Sequence, residues 1–303
     1  MKNNIYIKIV QDYSEISKTN KYKALNKIIF IYKNLFNIVT IKKEKNIIIG
    51  ILPITKEKLN KRIEKIIYKL YCKGFKKYKL VLSNELMRKD IIKLFDKYNL
   101  DYYKGLEIKK HLLFNIIDYI NLIQNKQLYE REITVLINDI SEFNKKMLFE
   151  LAKHSKSLKI VTKNIYKFRN IEEQLYNEYG IAIQLSNSYR KSLLKSEIII
   201  NIDFYETEIN AYKINNKAII INLNKNIKIA SKLFNGIVVN SINLRLKKEI
   251  KTGFVNINKE FDELILAESI MEKLDVKKIK IDSLIGNNRI ISKTEIKNLK
   301  LLK

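Results

Sequence analysis

The sequence predicts an α/β protein in which a small N-terminal α/β domain, residues 1–125, precedes a parallel-sheet three-layer domain, residues 126–303. In the second part, predicted strands and helices alternate, which is typical of βαβ units. Its strands are short, continuous apolar runs, as in parallel strands buried on both faces. The polar stretch Gln124–Arg131 separates the two parts, and 303 residues with 46% hydrophobic side chains suffice for two cores.

The first part contains the elements of a small α/β unit. In chain order they are a strand at 4–10, a helix at 21–36, hairpin strands at 37–42 and 46–52, a helix after Pro53, a strand at 78–82 and a further helix. We expect Thr55 to cap the second helix and Gly74 to take the left-handed position at its end. One long helix from Leu106 to about Asn125 is predicted to connect the two parts.

The second part continues as a regular series. Apolar runs predict strands at 133–137, 158–162, 181–185, 198–202, 218–222 and 237–239. Helices are predicted after the first two strands, with a short helix at 189–195 and an amphipathic helix at 261–274. This order predicts one parallel sheet with helices on both faces.

Two late strands carry a family resemblance. Residues 193–203 read LLKSEIIINID and residues 217–223 read KAIIINL. These runs resemble the late strands of NAD(P) domains of the shikimate dehydrogenase and glutamyl-tRNA reductase type. The resemblance covers about residues 131–240 and implies a Rossmann-like fold with its ligand at the carboxyl ends of the strands. The Lys and Asp pair and the nucleophilic cysteine of such enzymes have no matching motif in residues 1–125.

The first turn of the Rossmann-like part lacks the dinucleotide motif. Such domains place G-x-G-x-x-G there, so that pyrophosphate reaches backbone N–H groups at the helix N-terminus. Residues 138–143 read NDISEF, without glycine, and Asp139 and Glu142 add negative charge or form a capping-box-like helix start. After the second strand, Lys163, Lys167 and Arg169 stand where an acidic ribose anchor is usual. No cofactor is therefore predicted; an atypical NAD(P) site is the alternative.

Candidate ligand-binding residues follow from position alone. Ligands of open parallel sheets bind beyond the carboxyl ends of the strands. The polar residues predicted to lie there are Asn138, Asp139, Ser141, Thr162, Asp203 and Asn222. Each is also an ordinary residue for a strand end or a helix cap, so a purely structural role remains the competing interpretation.

The charge of the chain permits two interpretations. Lys and Arg number 59 against 32 Asp and Glu, a net charge of +27, which favours a polyanionic partner such as nucleic acid. An AT-rich genome also supplies lysine, isoleucine and asparagine by codon usage. The lysines are spread along the chain, and Tyr102, Tyr103 and Lys104 are the nearest approach to a stacking platform for bases.

Other chemistry has little support. His111 and His154 have no ligand-like partners at helical spacing, so no metal site is predicted, and Cys72 is expected on the inner side of a helix. The first ten residues predict a strand and no signal-peptide core, and no apolar run could cross a bilayer. A cytoplasmic location without a membrane partner is expected.

The sequence thus favours a non-catalytic or diverged Rossmann-like protein that binds a small molecule or a protein partner. An atypical NAD(P)-dependent oxidoreductase and a basic nucleic-acid-associated protein are the two alternatives.

Overall fold

The structure is a computed structural model that describes residues 4–10, 23–44, 47–55, 58–245, 260–276, 279–287 and 289–299. The chain forms two compact units. The first combines Met1–Gly105 with Leu246–Leu274, and the second combines Leu106–Arg245 with Asp275–Lys303. This division differs from the predicted one at 125/126, because the helical segment after Gly105 belongs to the second unit and a late segment returns to the first.

The first unit is built on a four-stranded sheet. Its strands are β1 (Asn4–Ile9), β2 (Thr40–Glu44), β3 (Ile47–Leu52) and β4 (Lys79–Leu82), in the order β2-β3-β1-β4. Strand β1 runs parallel to β3 and β4, and β2 pairs antiparallel with β3 as the predicted hairpin. Its helices include α1 (Lys23–Leu35), α2 (Leu59–Cys72) and α3 (Lys89–Lys97).

Helix α2 shows how the sequence fixes this unit. Leu59, Ile63, Ile66 and Leu70 recur at three- and four-residue spacing and are buried in its core. Gly74 has φ of 77° just after the helix, which confirms the predicted left-handed position. The prediction of Thr55 as N-cap was wrong. The helix begins at Leu59 with Lys58 as its N-cap, and the Thr55 carbonyl accepts from the Lys58 N–H at 3.1 Å.

The late segment of the first unit packs against β1. Helix α9 (Glu263–Ser269) is capped by Asp262 and lies within the predicted amphipathic stretch 261–274. The Phe261 ring meets the Tyr6 ring edge-on at 5.9 Å, and Asn4 Nδ2 donates to the carbonyl of Ser269 at 2.6 Å. These contacts explain why the segment returns to the first unit.

The second unit contains a six-stranded sheet and a smaller one. The strands of the large sheet are β5 (Glu132–Leu136), β6 (Ser157–Val161), β7 (Gln184–Ser186), β8 (Ile198–Asn201), β9 (Ile219–Asn222) and β10 (Ile237–Val239). Strands β11 (Ser241–Arg245), β12 (Lys280–Ile285) and β13 (Ile290–Ile291) form a three-stranded antiparallel sheet. The helices are α4 (Leu106–His111), α5 (Leu113–Gln124), α6 (Glu142–His154), α7 (Tyr166–Tyr179), α8 (Glu206–Ile209) and α10 (Lys293–Asn298).

The large sheet has the Rossmann strand order. All its pairs are parallel, and the order is β10-β9-β8-β5-β6-β7. Read from β7, the strands come third, second, first, fourth, fifth and sixth along the chain, which is the dinucleotide-domain order 3-2-1-4-5-6. The predicted fold class is confirmed, a small α/β part together with a Rossmann-like parallel sheet flanked by helices.

Two helix predictions were wrong. The predicted helix from Leu106 to about Asn125 is two helices, because the chain leaves the α-helical path at Leu112. Both pack within the second unit; for example, Asn115 Nδ2 donates to the carbonyl of Ile279 at 2.9 Å and Gln124 Nε2 to that of Ile296 at 2.7 Å. Residues 189–192 form turns, Leu193 forms an isolated parallel bridge with Ile214, and the Ser192 hydroxyl donates to the Ser188 carbonyl at 2.6 Å.

Candidate functional site at the carboxyl edge of the six-stranded sheet

Polar residues follow the carboxyl ends of the parallel strands and lie at one edge of the large sheet. Asn138 and Asp139 follow β5, Thr162 follows β6, Asp203 follows β8, and Asn222 ends β9. Ser141 lies at the start of α6. The candidate residues therefore occupy the edge where open α/β sheets bind ligands, but they fall into two separate hydrogen-bonded groups.

The first group is a carboxylate that accepts backbone N–H groups of the first turn. Both carboxylate oxygens of Asp203 accept the Asn138 backbone N–H, at 3.0 and 2.9 Å, and one also accepts the Asp139 N–H at 2.9 Å. In dinucleotide-binding domains, N–H groups of this turn and of the following helix start face the pyrophosphate. In this chain a carboxylate accepts two N–H groups of this turn.

The start of helix α6 is closed by its own serine. Ser141 is the N-cap, and its Oγ accepts the Asn144 N–H at 3.1 Å. The capping-box-like role predicted for Asp139 and Glu142 was therefore wrong. Asp139 instead uses its carbonyl, which accepts from Asn144 Nδ2 at 3.1 Å, and its side chain is exposed. The turn needs no ligand to satisfy these groups.

Asp203 titrates in an unusual environment. Partial burial raises the pKa of its carboxyl group, the two backbone N–H donors act in the opposite direction, and the carboxylates of Asp139 and Glu208 raise the pKa further. The net direction is upward from the ordinary value of 3.8. A second anion placed at this turn would meet the same desolvation and the same repulsion.

The end of β6 is also internally bonded. Thr162 is fully buried, and its Oγ1 accepts the Asn164 N–H at 3.2 Å. The Lys163 N–H donates to Asn138 Oδ1 at 2.9 Å, and the Lys163 ammonium contacts Glu208, which raises the pKa of Lys163. Arg169 lies over the Tyr166 ring at 4.8 Å. Two of the basic groups that could face a ribose phosphate thus have partners in the chain.

The second group is a buried asparagine ladder, formed by Asn201, Asn222 and Asn240 at the ends of β8, β9 and β10. Asn201 Nδ2 donates to Asn222 Oδ1 at 2.9 Å, and Asn222 Nδ2 donates to Asn240 Oδ1 at 2.8 Å. All three side chains are buried. The sequence reasoning named only Asn222, although IIIN occurs twice, at 198–201 and 219–222, and VVN at 238–240.

A buried lysine bonds to backbone carbonyls beside the asparagine ladder. Lys109 on α4 is only 4% exposed, and its Nζ donates to the backbone carbonyls of Asn222, Asn224 and Asn240 at 3.3, 3.2 and 3.0 Å. These carbonyls lie where β9 and β10 end. Sequence reasoning missed Lys109, whose only signal was a lysine between the apolar residues Ile108 and Leu112 of a helix.

The histidines and the cysteine take no part in the hydrogen bonds of these two groups. The His111 ring packs against Phe143 at 4.6 Å, and His154 Nε2 lies 3.5 Å from Glu150 on the same helix. Among the described residues, His, Cys, Asp and Glu side chains form no cluster that could hold a metal ion. Cys72 is exposed, so its predicted burial was wrong.

The predicted stacking platform is replaced by another tyrosine cluster. Tyr102 is 6% exposed and its hydroxyl donates to Asp96 at 3.1 Å, so it offers no free ring. Tyr68, Tyr71 and Tyr98 instead lie together on the first unit, with ring centroids 5.6 to 6.3 Å apart. Tyr68 is 52% exposed.

Comparisons with known proteins find only distant structural likenesses. No protein-family model and no curated protein sequence matches the chain. Similar solved structures include L-tryptophan dehydrogenase from Nostoc punctiforme, with 10% identity over 89% of this chain and 75% of that chain and a TM-score of 0.32. Shikimate 5-dehydrogenase from Listeria monocytogenes has 8% identity over 73% of this chain and 78% of its own, with a TM-score of 0.27.

A candidate aspartate carbamoyltransferase from Trypanosoma cruzi has 12% identity over 73% of this chain and 69% of that chain, with a TM-score of 0.25. At such scores these likenesses carry no argument about activity, and the fold assignment rests on the strand order. Within the described part of the chain, no helix is both long and apolar enough to span a bilayer.

Proposed function

We propose that this chain is a non-catalytic Rossmann-like binding or regulatory module that does not bind NAD(P) in the standard way. The observation that carries the proposal is the Asp203 carboxylate on the N–H groups of Asn138 and Asp139. It supports the view that the N–H groups able to bind an anion at this turn are already bonded within the chain.

Electrostatics support the same conclusion. A pyrophosphate at this turn would need the N–H groups that Asp203 now holds, and it would lie beside the carboxylates of Asp203 and Asp139. Two anions in one partly desolvated site repel each other strongly. Binding would therefore require Asp203 to leave or to take up a proton, and either change weakens the affinity for the dinucleotide.

The edge still offers groups to a different ligand. Asp139 and Tyr205 are exposed, and the Lys163 and Glu208 pair lies at the surface beside them. We expect a small molecule or a protein segment that bonds to this mixed polar surface, and the buried asparagine ladder would hold the strand ends in place for it. No dinucleotide cofactor is needed for that role.

Titration with NADH and NADPH tests the proposal. We expect no binding heat and no change in nicotinamide fluorescence up to about millimolar cofactor. This result would mean a binding free energy weaker than about −4 kcal/mol. Micromolar affinity for either cofactor would refute it. In that case the atypical oxidoreductase is the better description, and Asp139→Ala or Ser141→Ala should alter the affinity.

A second candidate function, association with single-stranded nucleic acid, is favoured by the tyrosine cluster of Tyr68, Tyr71 and Tyr98. Lys76 Nζ lies 4.9 Å from the Tyr71 ring centre and Lys97 Nζ 5.3 Å from that of Tyr98, although Lys97 also pairs with Glu64. Aromatic rings edged by lysines can stack bases and hold phosphates, and the net charge of +27 would attract a polyanion.

Oligonucleotide binding separates this candidate from codon-driven charge. Fluorescence anisotropy with a single-stranded oligonucleotide should show salt-sensitive binding that Tyr68→Ala weakens about tenfold, the value of one lost stacking contact. Tyr166→Ala, which removes a tyrosine that is 76% exposed elsewhere, is the matched control and should change little. Equal affinity of the wild type and Tyr68→Ala excludes the cluster as the binding surface.

A further inference from the structure

Helix α1 of the first unit presents its more apolar side to solvent. Leu25, Ile28, Ile31, Tyr32, Leu35 and the following Phe36 are 45 to 62% exposed. The side that packs against the unit carries Asn26 and Phe30, which are buried, and the half-buried Lys33. An ordinary surface helix has the opposite arrangement, with its apolar stripe inward.

The exposed residues form one continuous stripe. Leu25, Ile28, Tyr32 and Leu35 follow one another at spacings of three, four and three, so they lie above one another on one side of the helix. The positions that flank this stripe, Ala24, Ile31 and Phe36, carry no charge. Lys27 lies outside the stripe, and the Tyr32 and Phe36 rings pack at 4.9 Å.

The size of the stripe matches that of an interface. About half of the surface of six large side chains is exposed, on the order of 600 Å². The largest apolar patch of a typical monomer reaches roughly 300–600 Å², and a standard interface covers about 800 Å² per partner. The stripe alone therefore supplies most of what a stable dimer needs.

We propose that the stripe docks a second copy of this chain, with the two α1 helices antiparallel about a twofold axis. Spacing of three and four residues lets side chains of two such helices interdigitate, and a twofold interface requires a surface that complements itself. Charge restricts where two copies can meet. Two chains that each carry +27 repel each other, and this stripe with its uncharged flanks lets them meet without opposing lysines.

The oligomeric state of the full chain tests the proposal. Sedimentation velocity or light scattering from about 1 to 100 μM should give the mass of two chains for the wild type. Ile28→Glu and Leu35→Glu should each give the mass of one chain, because a carboxylate would be buried in the seam. Both positions are exposed, so the variants should keep the wild-type circular dichroism.

Leu122→Glu is the matched control. Leu122 is 82% exposed on α5, and its replacement should leave the dimer intact. A wild type with the mass of one chain at the highest concentration overturns the proposal, as does an Ile28→Glu variant that remains a dimer. A single-chain wild type that binds anionic phosphatidylserine vesicles, and loses this binding in Ile28→Glu, would assign the stripe to a lipid surface instead.

Discussion

The two polar groups at the carboxyl edge of the six-stranded sheet differ in how they satisfy the backbone groups at the strand ends. Around the β5 turn, backbone N–H groups are satisfied by a half-buried charge, Asp203. At the ends of β8, β9 and β10, neutral asparagine amides bond to one another in the interior, and the buried Lys109 donates to backbone carbonyls there. One group holds a negative charge near solvent, and the other holds a positive charge away from it.

This difference assigns a structural role to the asparagine ladder and leaves the β5 turn as the candidate ligand site. The asparagine ladder is buried, so a ligand could reach it only if the strand ends opened, and its role is to fix the ends of β8, β9 and β10. The β5 turn lies beside exposed groups such as Asp139. Water or a ligand can therefore compete with the Asp203 carboxylate for the N–H groups of this turn. Our proposal therefore places the exclusion of a dinucleotide at the β5 turn.

Removing Lys109 should give the largest effect. We expect Lys109→Met to lower the free energy of unfolding by about 3 kcal/mol, because the carbonyls of Asn222, Asn224 and Asn240 lose a charged donor in a buried site. Denaturant unfolding measures this change.

The neighbouring residue provides the control for that variant. Lys110 pairs with Glu107 at the surface, and Lys110→Met should change stability by less than about 0.5 kcal/mol. If both variants are equally stable, the lysine does not organise the buried group, and the proposed division between scaffold and site is lost.

Much of the fold could be predicted from local pattern. Isoleucine-rich runs located the strands, and Gly74 located a helix end. Cys72 shows a misread pattern: it lies two residues after the buried Leu70, about 200° around the helix, and therefore faces outward. The break at Leu112 had no glycine or proline to announce it.

The candidate site could be predicted only in part. Strand ends named Asp203 and Asn138, but the two are 65 residues apart, and no local signal says that one side chain will bond to the other backbone. The ladder was readable in principle from the repeated IIIN. Lys109 was not, because its partners are backbone carbonyls 113 and more residues away.

Replacing Asp203 should have a smaller effect on stability than replacing Lys109. We expect Asp203→Ala to lower the free energy of unfolding by about 2 kcal/mol, because the N–H groups of Asn138 and Asp139 lose their acceptor. Asp139→Ala is the control, since it removes a neighbouring carboxylate and keeps both N–H groups bonded to Asp203.

Thermal unfolding with added pyrophosphate tests the central claim most directly. If the Asp203 carboxylate occupies the anion position of the turn, millimolar pyrophosphate should raise the melting temperature of Asp203→Ala by more than that of the wild type or of Asp139→Ala. Equal shifts in all three proteins, such as the net charge of +27 alone would produce, would contradict the claim that Asp203 fills the site of the dinucleotide phosphate.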